Sequence, residues 1–196
     1  DYYYVASGAD KGENGFQFRR IYFTMDLKWN DRWSGRFRLE SKNAGFGSNE
    51  TMRPFVKDAY LKYKRNGKTL VLGQSPTPTW DFAETVWGYR SVSKTIIDLN
   101  KVGSSRDTCV RITKPNGEKA VFDVMLGNGN STRAEGNHEK KAYGRLHLRP
   151  SKSVGALFYV DWEKRPGGQD RTTLKGFLYR KKKQNAFGLE GFVQRR

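Results

Sequence analysis

Apolar and polar residues alternate along most of this chain, whereas few windows show the spacing of an amphipathic helix. In the clearest run, residues 19–29, every odd position from 21 onward is apolar. A similar run over 57–63 places Lys57 on the same face as Ala59. Such alternation predicts strands, and about ten segments of roughly 8–12 residues show it, which is the length of a tilted membrane strand.

The predicted connections between these strands alternate between short and long. Turn-forming residues such as Asn66-Gly67 mark the short ones. The short connections are 30–31, 64–68, 114–118, 150–153 and 182–185, and the long ones are 41–55, 75–106, 128–140 and 163–171. Strict alternation places every long loop at one end, as in membrane barrels with short periplasmic turns and long outer loops. We therefore predict an all-β, antiparallel, up-and-down transmembrane β-barrel that starts at the periplasmic end and forms one domain over residues 1–196.

Alternation alone does not tell which face of the sheet meets water, because soluble and membrane barrels share the pattern with opposite orientation. Trp29, Trp33 and Tyr63 lie on the apolar face beside short turns, which is the place of an aromatic girdle. That face also mixes small and bulky residues, which lipid tolerates better than a close-packed core does. The polar faces combine Arg, Tyr, Asp and Glu, as a hydrated lumen requires. These features favour the membrane barrel.

The charge balance permits a second interpretation. The chain has 37 Lys and Arg against 20 Asp and Glu, a formal net charge of +17 at pH 7 and a mean hydropathy of -0.83. Its 12 Phe, 10 Tyr and 5 Trp exclude a disordered chain. Basic and aromatic residues together are typical of a soluble β-barrel that binds nucleic acid or an acidic polysaccharide. Many of the cations share one face of the strands, which favours a basic lining of a tunnel over a basic outer surface. We therefore expect no nucleic-acid partner.

The polar strand faces contain the candidate pore-lining residues. A ring of Arg and Lys lowers the electrostatic barrier for anions, and low-dielectric walls focus the field along a tunnel. The alternative is that these charges form cross-strand ion pairs, such as Arg36 with Asp26, that only hold the lumen together. The candidate cations are Arg20, Arg36, Arg38, Lys62, Arg111, Arg145, Arg149 and Lys175, and the acidic candidates are Asp26, Glu40, Asp58, Asp123 and Asp161.

The longest connection, residues 75–106, is long enough to have a function of its own. Residues 77–84 predict a short helix with Thr79 as its cap, and 91–99 predict a second turn or a strand extension. The loop either folds inward as a constriction or stays on the outer surface. Folded inward, its narrowest point would hold Trp80, Asp81, Glu84 and Arg90.

The sequence contains no catalytic or cofactor-binding constellation. Cys109 is the only cysteine, which excludes an intrachain disulfide, and His138 and His147 are the only histidines, too few for a histidine metal site. No G-x-x-x-x-G-K-[ST] phosphate loop occurs. No apolar run reaches the ~18–20 residues that a membrane-spanning helix needs. We therefore expect no enzyme, no cofactor and no metal.

Four segments carry a resemblance to a known family. They are 15–23 (GFQFRRIYF), 56–63 (VKDAYLKY), 70–74 (LVLGQ) and 104–108 (SSRDT). They resemble segments of Gram-negative porins of the general and phosphate-selective types, over roughly residues 15–127. The resemblance implies an outer-membrane β-barrel, a cleaved signal peptide, passive diffusion of solutes and, often, a homotrimer.

Two features depart from that family. Its members usually have longer chains that often end in an aromatic residue, whereas this chain ends at Arg196, and they often have glycine where Cys109 stands. We therefore expect either the N-terminal part of a larger barrel or a small barrel. The predicted function is an outer-membrane porin for small hydrophilic, preferentially anionic solutes, in contact with the lipid bilayer and lipopolysaccharide. A remaining alternative is a non-conducting structural barrel in a larger outer-membrane complex.

Overall fold

The computed structural model describes residues 2–18, 20–43, 50–87, 95–100, 102–165, 169–182 and 185–195. Most of them lie in strands, as the period-two alternation predicts. The strands are β1 (Tyr2–Tyr4), β2 (Asn14–Phe16), β3 (Arg20–Lys28), β4 (Trp33–Lys42), β5 (Pro54–Arg65), β6 (Lys68–Pro76), β7 (Arg106–Asn116), β8 (Ala120–Gly127), β9 (Lys141–Leu148), β10 (Val154–Glu163), β11 (Arg171–Lys182) and β12 (Asn185–Arg195). The helices are α1 (Trp80–Trp87) and α2 (Ile96–Leu99).

In the described part of the chain, β3 to β12 form one antiparallel sheet of ten strands, each paired with its neighbours in the chain. β3 and β12 are the two edges of this sheet, so the sheet is not closed, and β1 pairs with β2 in a separate hairpin. The connections from β3 to β12 alternate between short and long. The predicted all-β, antiparallel, up-and-down arrangement of about ten strands is confirmed.

The direction of the first sheet strand differs from the prediction. β3 leads through residues 29–32, a short turn, into β4, so β3 begins at the end of the sheet that carries the long loops. With the short turns on the periplasmic side, this strand starts at the outer end. The predicted periplasmic start of the chain therefore does not extend to β3, because the connection that follows this strand is a short one.

The two faces of the sheet are inverted relative to those of a soluble protein. The outward face is apolar and exposed, and Val124 in the middle of β8 has 65% of its surface exposed. The opposite face, here called the inner face, carries Asp58, Asp123 and Asp161, each at most 1% exposed. Soluble proteins almost never bury charges while exposing rows of apolar residues, whereas membrane barrels do both. The predicted orientation of the alternation is therefore the one observed.

Aromatic residues of the outward face lie beside the short turns. The rings of Trp33 on β4 and Tyr63 on β5 are 4.6 Å apart between centroids, and Trp29 is more than half exposed. The Trp29 ring lies against Gly35, where a larger side chain would meet it at contact distance or closer. Glycine at this position therefore leaves room for the indole of Trp29. The aromatic rings lie where an aromatic girdle is expected, beside the short turns.

A β-bulge in β5 changes the orientation of one charge. Arg38 pairs with Asp58 and Leu39 pairs with Val56, so Lys57 is the extra residue. The alternation places Lys57 on the outward face, but its ammonium instead forms an ion pair with Glu40, which is buried on the inner face. That prediction is wrong because one inserted residue shifts the side-chain period locally.

The connection between β6 and β7 contains both helices. α1 begins at Trp80, directly after the predicted cap Thr79, whose carbonyl accepts the Ala83 amide at 3.0 Å. The predicted turn or strand extension over 91–99 is in part the helix α2, and residues 88–94 lie outside the described residues. Within the described chain, no helix is long and apolar enough to cross a membrane.

Candidate functional site

Two buried carboxylates near the loop end of the sheet are each shared by two cations. Glu40 pairs with Arg20 at 2.9 Å and also with Lys57. Asp58 accepts from Arg106 Nε at 2.5 Å and lies 3.5 Å from Arg38 Nη1. In each cluster one negative charge faces two positive charges.

The same arrangement recurs further around the sheet. Asp123 on β8 pairs with Arg111 on β7 at 2.9 Å and with Arg145 on β9. Glu163 at the end of β10 contacts three cations, which are Arg165, Arg171 and Lys141. Lys141 is itself shared with Asp161, at 3.1 Å. These four carboxylates, Glu40, Asp58, Asp123 and Glu163, together face more cations than they can neutralise.

One predicted cross-strand pair is present as an isolated pair. Arg36 Nε donates to Asp26 Oδ1 at 2.6 Å, and Nη2 donates to Oδ2 at 3.0 Å, from directly opposite positions on β4 and β3. The Asp26 side chain is 62% exposed, so water competes with this pair. Arg36 therefore forms the cross-strand ion pair that was the alternative to a role in anion selectivity. The two roles are compatible, because a paired arginine still contributes to the electric field of the lumen.

Two candidate cations have no carboxylate partner among the described residues. Lys62 lies with its ammonium 5.6 Å from the centre of the Tyr60 ring, in a cavity of about 290 Å³ beside the turn between β3 and β4. Arg149 borders a cavity of about 600 Å³ with Lys119 and Lys152, and its buried Nε has no hydrogen-bond partner. Both cations lie at the turn end of the sheet, where cations outnumber carboxylates. The first cavity is lined by Lys28, Arg36, Lys62 and Lys64 with Asp26 and Asp31, and the second by Lys119, Arg149 and Lys152 with Glu118.

The loop end of the sheet contains a cavity of about 540 Å³ between β3, β4, β5 and α1, here called the loop-end chamber. Its wall is strongly charged. The wall includes Arg20, Arg38, Lys57, Arg106, Trp80 and Glu84. Three of these cations surround the ring of Tyr22, with Lys57 at 5.1 Å, Arg38 at 5.4 Å and Arg20 at 5.9 Å from its centre. Such cation–π contacts hold cations close together that would otherwise repel one another.

The connection between β6 and β7 lies against the inner face. Arg111 donates to the carbonyl of Pro76 at 3.1 Å, and Arg145 donates to that of Pro78 at 2.5 Å. Lys175 on β11 donates to the carbonyl of Val102 at 3.0 Å. These contacts place residues 77–105, as far as the structure describes them, inside the curve of the sheet, and they are here called the infolded segment.

Aromatic packing adds a further contact to the infolded segment. The Phe82 ring of α1 packs against His147 on β9 at 4.4 Å and against Tyr179 on β11 at 5.4 Å. Two of the constriction candidates, Trp80 and Glu84, are in contact with each other. Trp80 Nε1 donates a hydrogen bond to Glu84 Oε1 at 3.2 Å. Asp81 lies in α1, but its side chain is outside the described part of the structure, as is the whole of Arg90.

Sequence reasoning missed several charged residues of the inner face. Asp107 and Lys141 stand at the loop ends of β7 and β9, in the same alternation as Arg111 and Arg145, whereas Arg106, the first residue of β7, has the opposite parity and is nevertheless buried. Continuing that alternation by two further residues on the same face would have found Asp107 and Lys141, but not Arg106. Lys57 could not be found in this way, because the bulge is not visible in the pattern.

The connection between β8 and β9 contains an exposed acidic turn. Glu135 accepts from the amide of Asn137 at 3.0 Å and from the ammonium of Lys140 at 3.1 Å. These donors hold the pKa of the Glu135 carboxyl below its ordinary value. Their stabilising effect is therefore present at neutral pH and is lost only as the pH falls through that lowered pKa.

The comparisons with known proteins agree with this architecture. The family model described as phosphate-selective porin O and P matches residues 1–185, almost the whole chain. No curated protein sequence matches the chain. Among the described residues, no group of His, Cys, Asp or Glu is arranged to hold a metal ion. With its inverted antiparallel sheet and basic inner face, the chain belongs to the phosphate-selective porin O and P family, whose members are outer-membrane channels rather than enzymes.

Proposed function

We propose that the inner face forms the wall of a water-filled conduit through which small hydrophilic anions, phosphate among them, diffuse passively across the outer membrane. The observation that carries the proposal is the sharing of Glu40, Asp58, Asp123 and Glu163 by two or more cations each. Pairing alone would balance the charges, whereas sharing leaves an excess of positive charge. Excess positive charge on a low-dielectric wall raises the local concentration of anions.

An excess of cations over carboxylates extends over both ends of the proposed conduit. The loop-end chamber carries Arg20, Arg38 and Lys57, and the turn end carries Lys62 and Arg149. Between them, the infolded segment narrows the passage with Trp80 and Glu84. In the same proposal, the outward face contacts membrane lipid and the long loops lie beside lipopolysaccharide.

Electrical recording from planar bilayers tests the proposal. The full chain, folded in detergent and added to the bilayer, is expected to produce discrete conductance steps. Under a gradient of KCl, the reversal potential is expected to have the sign of a chloride-selective pore, and added phosphate is expected to reduce the chloride current by competition. Folded protein that inserts into the bilayer without conductance steps would instead support the non-conducting structural barrel. A cation-selective reversal potential would contradict the proposed role of the inner face.

Lys62 provides a direct test of this excess of cations. Replacing it with Glu changes the local charge by two units, which raises the energy of an anion ~6 Å away and lowers that of a cation by about 1.4 kcal/mol each in pure water. Screening by ~0.1 M salt roughly halves both changes, so that their difference is about 1.4 kcal/mol. We therefore expect Lys62→Glu to lower the anion-to-cation permeability ratio about tenfold, as measured by the reversal potential. Lys68→Glu is the matched control, since Lys68 borders Leu70 and Ile112 on the outward face at the same end. Equal effects of the two variants would exclude a specific role for Lys62.

A further inference from the structure

We propose that Asp123 is the residue that positions the start of the infolded segment, by orienting two arginines, of which one holds the carbonyl of Pro76 at the end of β6 and the other holds the carbonyl of Pro78 within the segment. The proposal deepens the proposed function, since the infolded segment is the part proposed to narrow the conduit. It assigns Arg111 and Arg145 a task other than contact with solute, although both are candidate pore-lining residues.

Asp123 lies between the two arginines on neighbouring strands. It is 1% exposed, and its Oδ1 accepts from Arg111 Nε at 3.0 Å. Arg145, which faces Asp123 directly in the pairing of β8 with β9, forms an ion pair through Oδ2. The Thr113 hydroxyl, opposite Asp123 on β7, donates to Oδ1. Among the residues that the structure describes, this carboxylate contacts only strands of the sheet, and at 1% exposure it lies too deep to meet a solute.

Each arginine has a second contact that points away from Asp123. Arg111 Nη1 donates to the carbonyl of Pro76, and Arg145 Nη1 donates to the carbonyl of Pro78. A guanidinium is planar and presents its donors in fixed directions. Fixing one edge of the group on Asp123 therefore fixes the direction of the donor on its other side. In this way one buried carboxylate sets two contacts at the start of the segment.

The chemistry of residues 76–78 explains why the segment needs these donors. Pro76 ends β6, and Pro78 has no amide hydrogen with which to continue a strand ladder. The Thr77 amide still donates to the Ser105 carbonyl at 3.1 Å, and beyond this bond the chain leaves the sheet wall. Buried carbonyl groups require a donor. The arginines of β7 and β9 supply it from the inner face, so the exit of the chain is directed inward.

A buried reporter thiol on α1 tests the proposal without any measurement of conduction. Ala83 is 4% exposed, and Ala83→Cys in a Cys109→Ser background gives one thiol that is shielded while the segment lies against the sheet. We expect Asp123→Asn to raise the rate at which this thiol reacts with a water-soluble maleimide about tenfold. This is the factor expected when the state in which the segment lies against the sheet loses one charge-assisted hydrogen bond. Asp161→Asn is the control, since Asp161 is equally buried but pairs with Lys141 and Tyr159 instead.

Arg145→Lys keeps the test decisive if Asp123→Asn does not fold. Lysine keeps the positive charge beside Asp123, but its single nitrogen cannot also reach Pro78 as the guanidinium fork does. We expect faster labelling and a larger single-channel conductance, with an unchanged reversal potential. Unchanged labelling in every variant that folds, or equal acceleration in Asp161→Asn, would overturn the proposal. If labelling responds as expected but the parent protein does not conduct, the proposed function fails while the role of Asp123 stands.

Discussion

Replacing Arg106 with Met is expected to lower the free energy of unfolding by about 3–5 kcal/mol, because it leaves a buried carboxylate without its main partner. Asp58 has 0% of its surface exposed, and Arg106 Nε is 2.5 Å from its Oδ1. Arg38, at 3.5 Å, remains as a weaker partner, so a value toward the lower end of this range is expected. Methionine preserves much of the apolar stem. The measurement is urea unfolding in lipid vesicles, followed by tryptophan fluorescence.

Arg36→Met is the matched control for this variant. It also removes an arginine from a cross-strand pair of the same sheet, but its partner Asp26 remains in contact with water. A far smaller loss of stability is expected, because water solvates the remaining carboxylate. Equal losses in the two variants would contradict the view that burial of Asp58 sets the cost.

Arginine in place of Val124 is expected to lower the free energy of unfolding from a bilayer by about 2–4 kcal/mol. Val124 lies in the middle of β8 on the exposed apolar face. A charge there would have to enter the hydrocarbon core of the membrane, whereas the same charge on a water-exposed sheet would cost little. The variant therefore tests which medium covers the outward face.

Ala120→Arg on the same strand gives the depth control. Ala120 is the first residue of β8 and lies on the same face as Val124, next to the short turn. Because the cost of a charge falls toward the membrane interface, a loss of about 0–1 kcal/mol is expected. Similar losses for both positions, or none for Val124→Arg, would contradict burial of this face in lipid.

The strands, and the face of the sheet on which each side chain lies, were predictable because side chains alternate strictly along an extended backbone. Once the short turns are known, each hairpin follows, and opposite residues such as Asp26 and Arg36 can be named from the sequence. The helix after Thr79 was also predictable from its cap. These features depend on residues that are close in sequence or paired through a tight turn.

The rest depended on contacts that no local pattern encodes. The bulge at Lys57 inserts one residue without interrupting the alternation around it. The contact of Arg145 with Pro78 joins positions 67 residues apart, so the inward fold of the long connection could only be one of two alternatives. The sharing of Asp58 by Arg38 and Arg106 likewise follows from the path of β7 beside β6, not from spacing.

The shared carboxylates have a consequence for the speed of the proposed transport. Arginine and lysine side chains on an open surface sample many rotamers, and ordering each one on a solute costs about 0.5–1.5 kcal/mol. On the inner face, Glu40 and Asp58 already hold their cations in place. A passing anion would therefore lose little free energy to rearrangement of the wall. Preorganised donors of this kind recognise an anion without trapping it, which suits a conduit that must release every solute it admits.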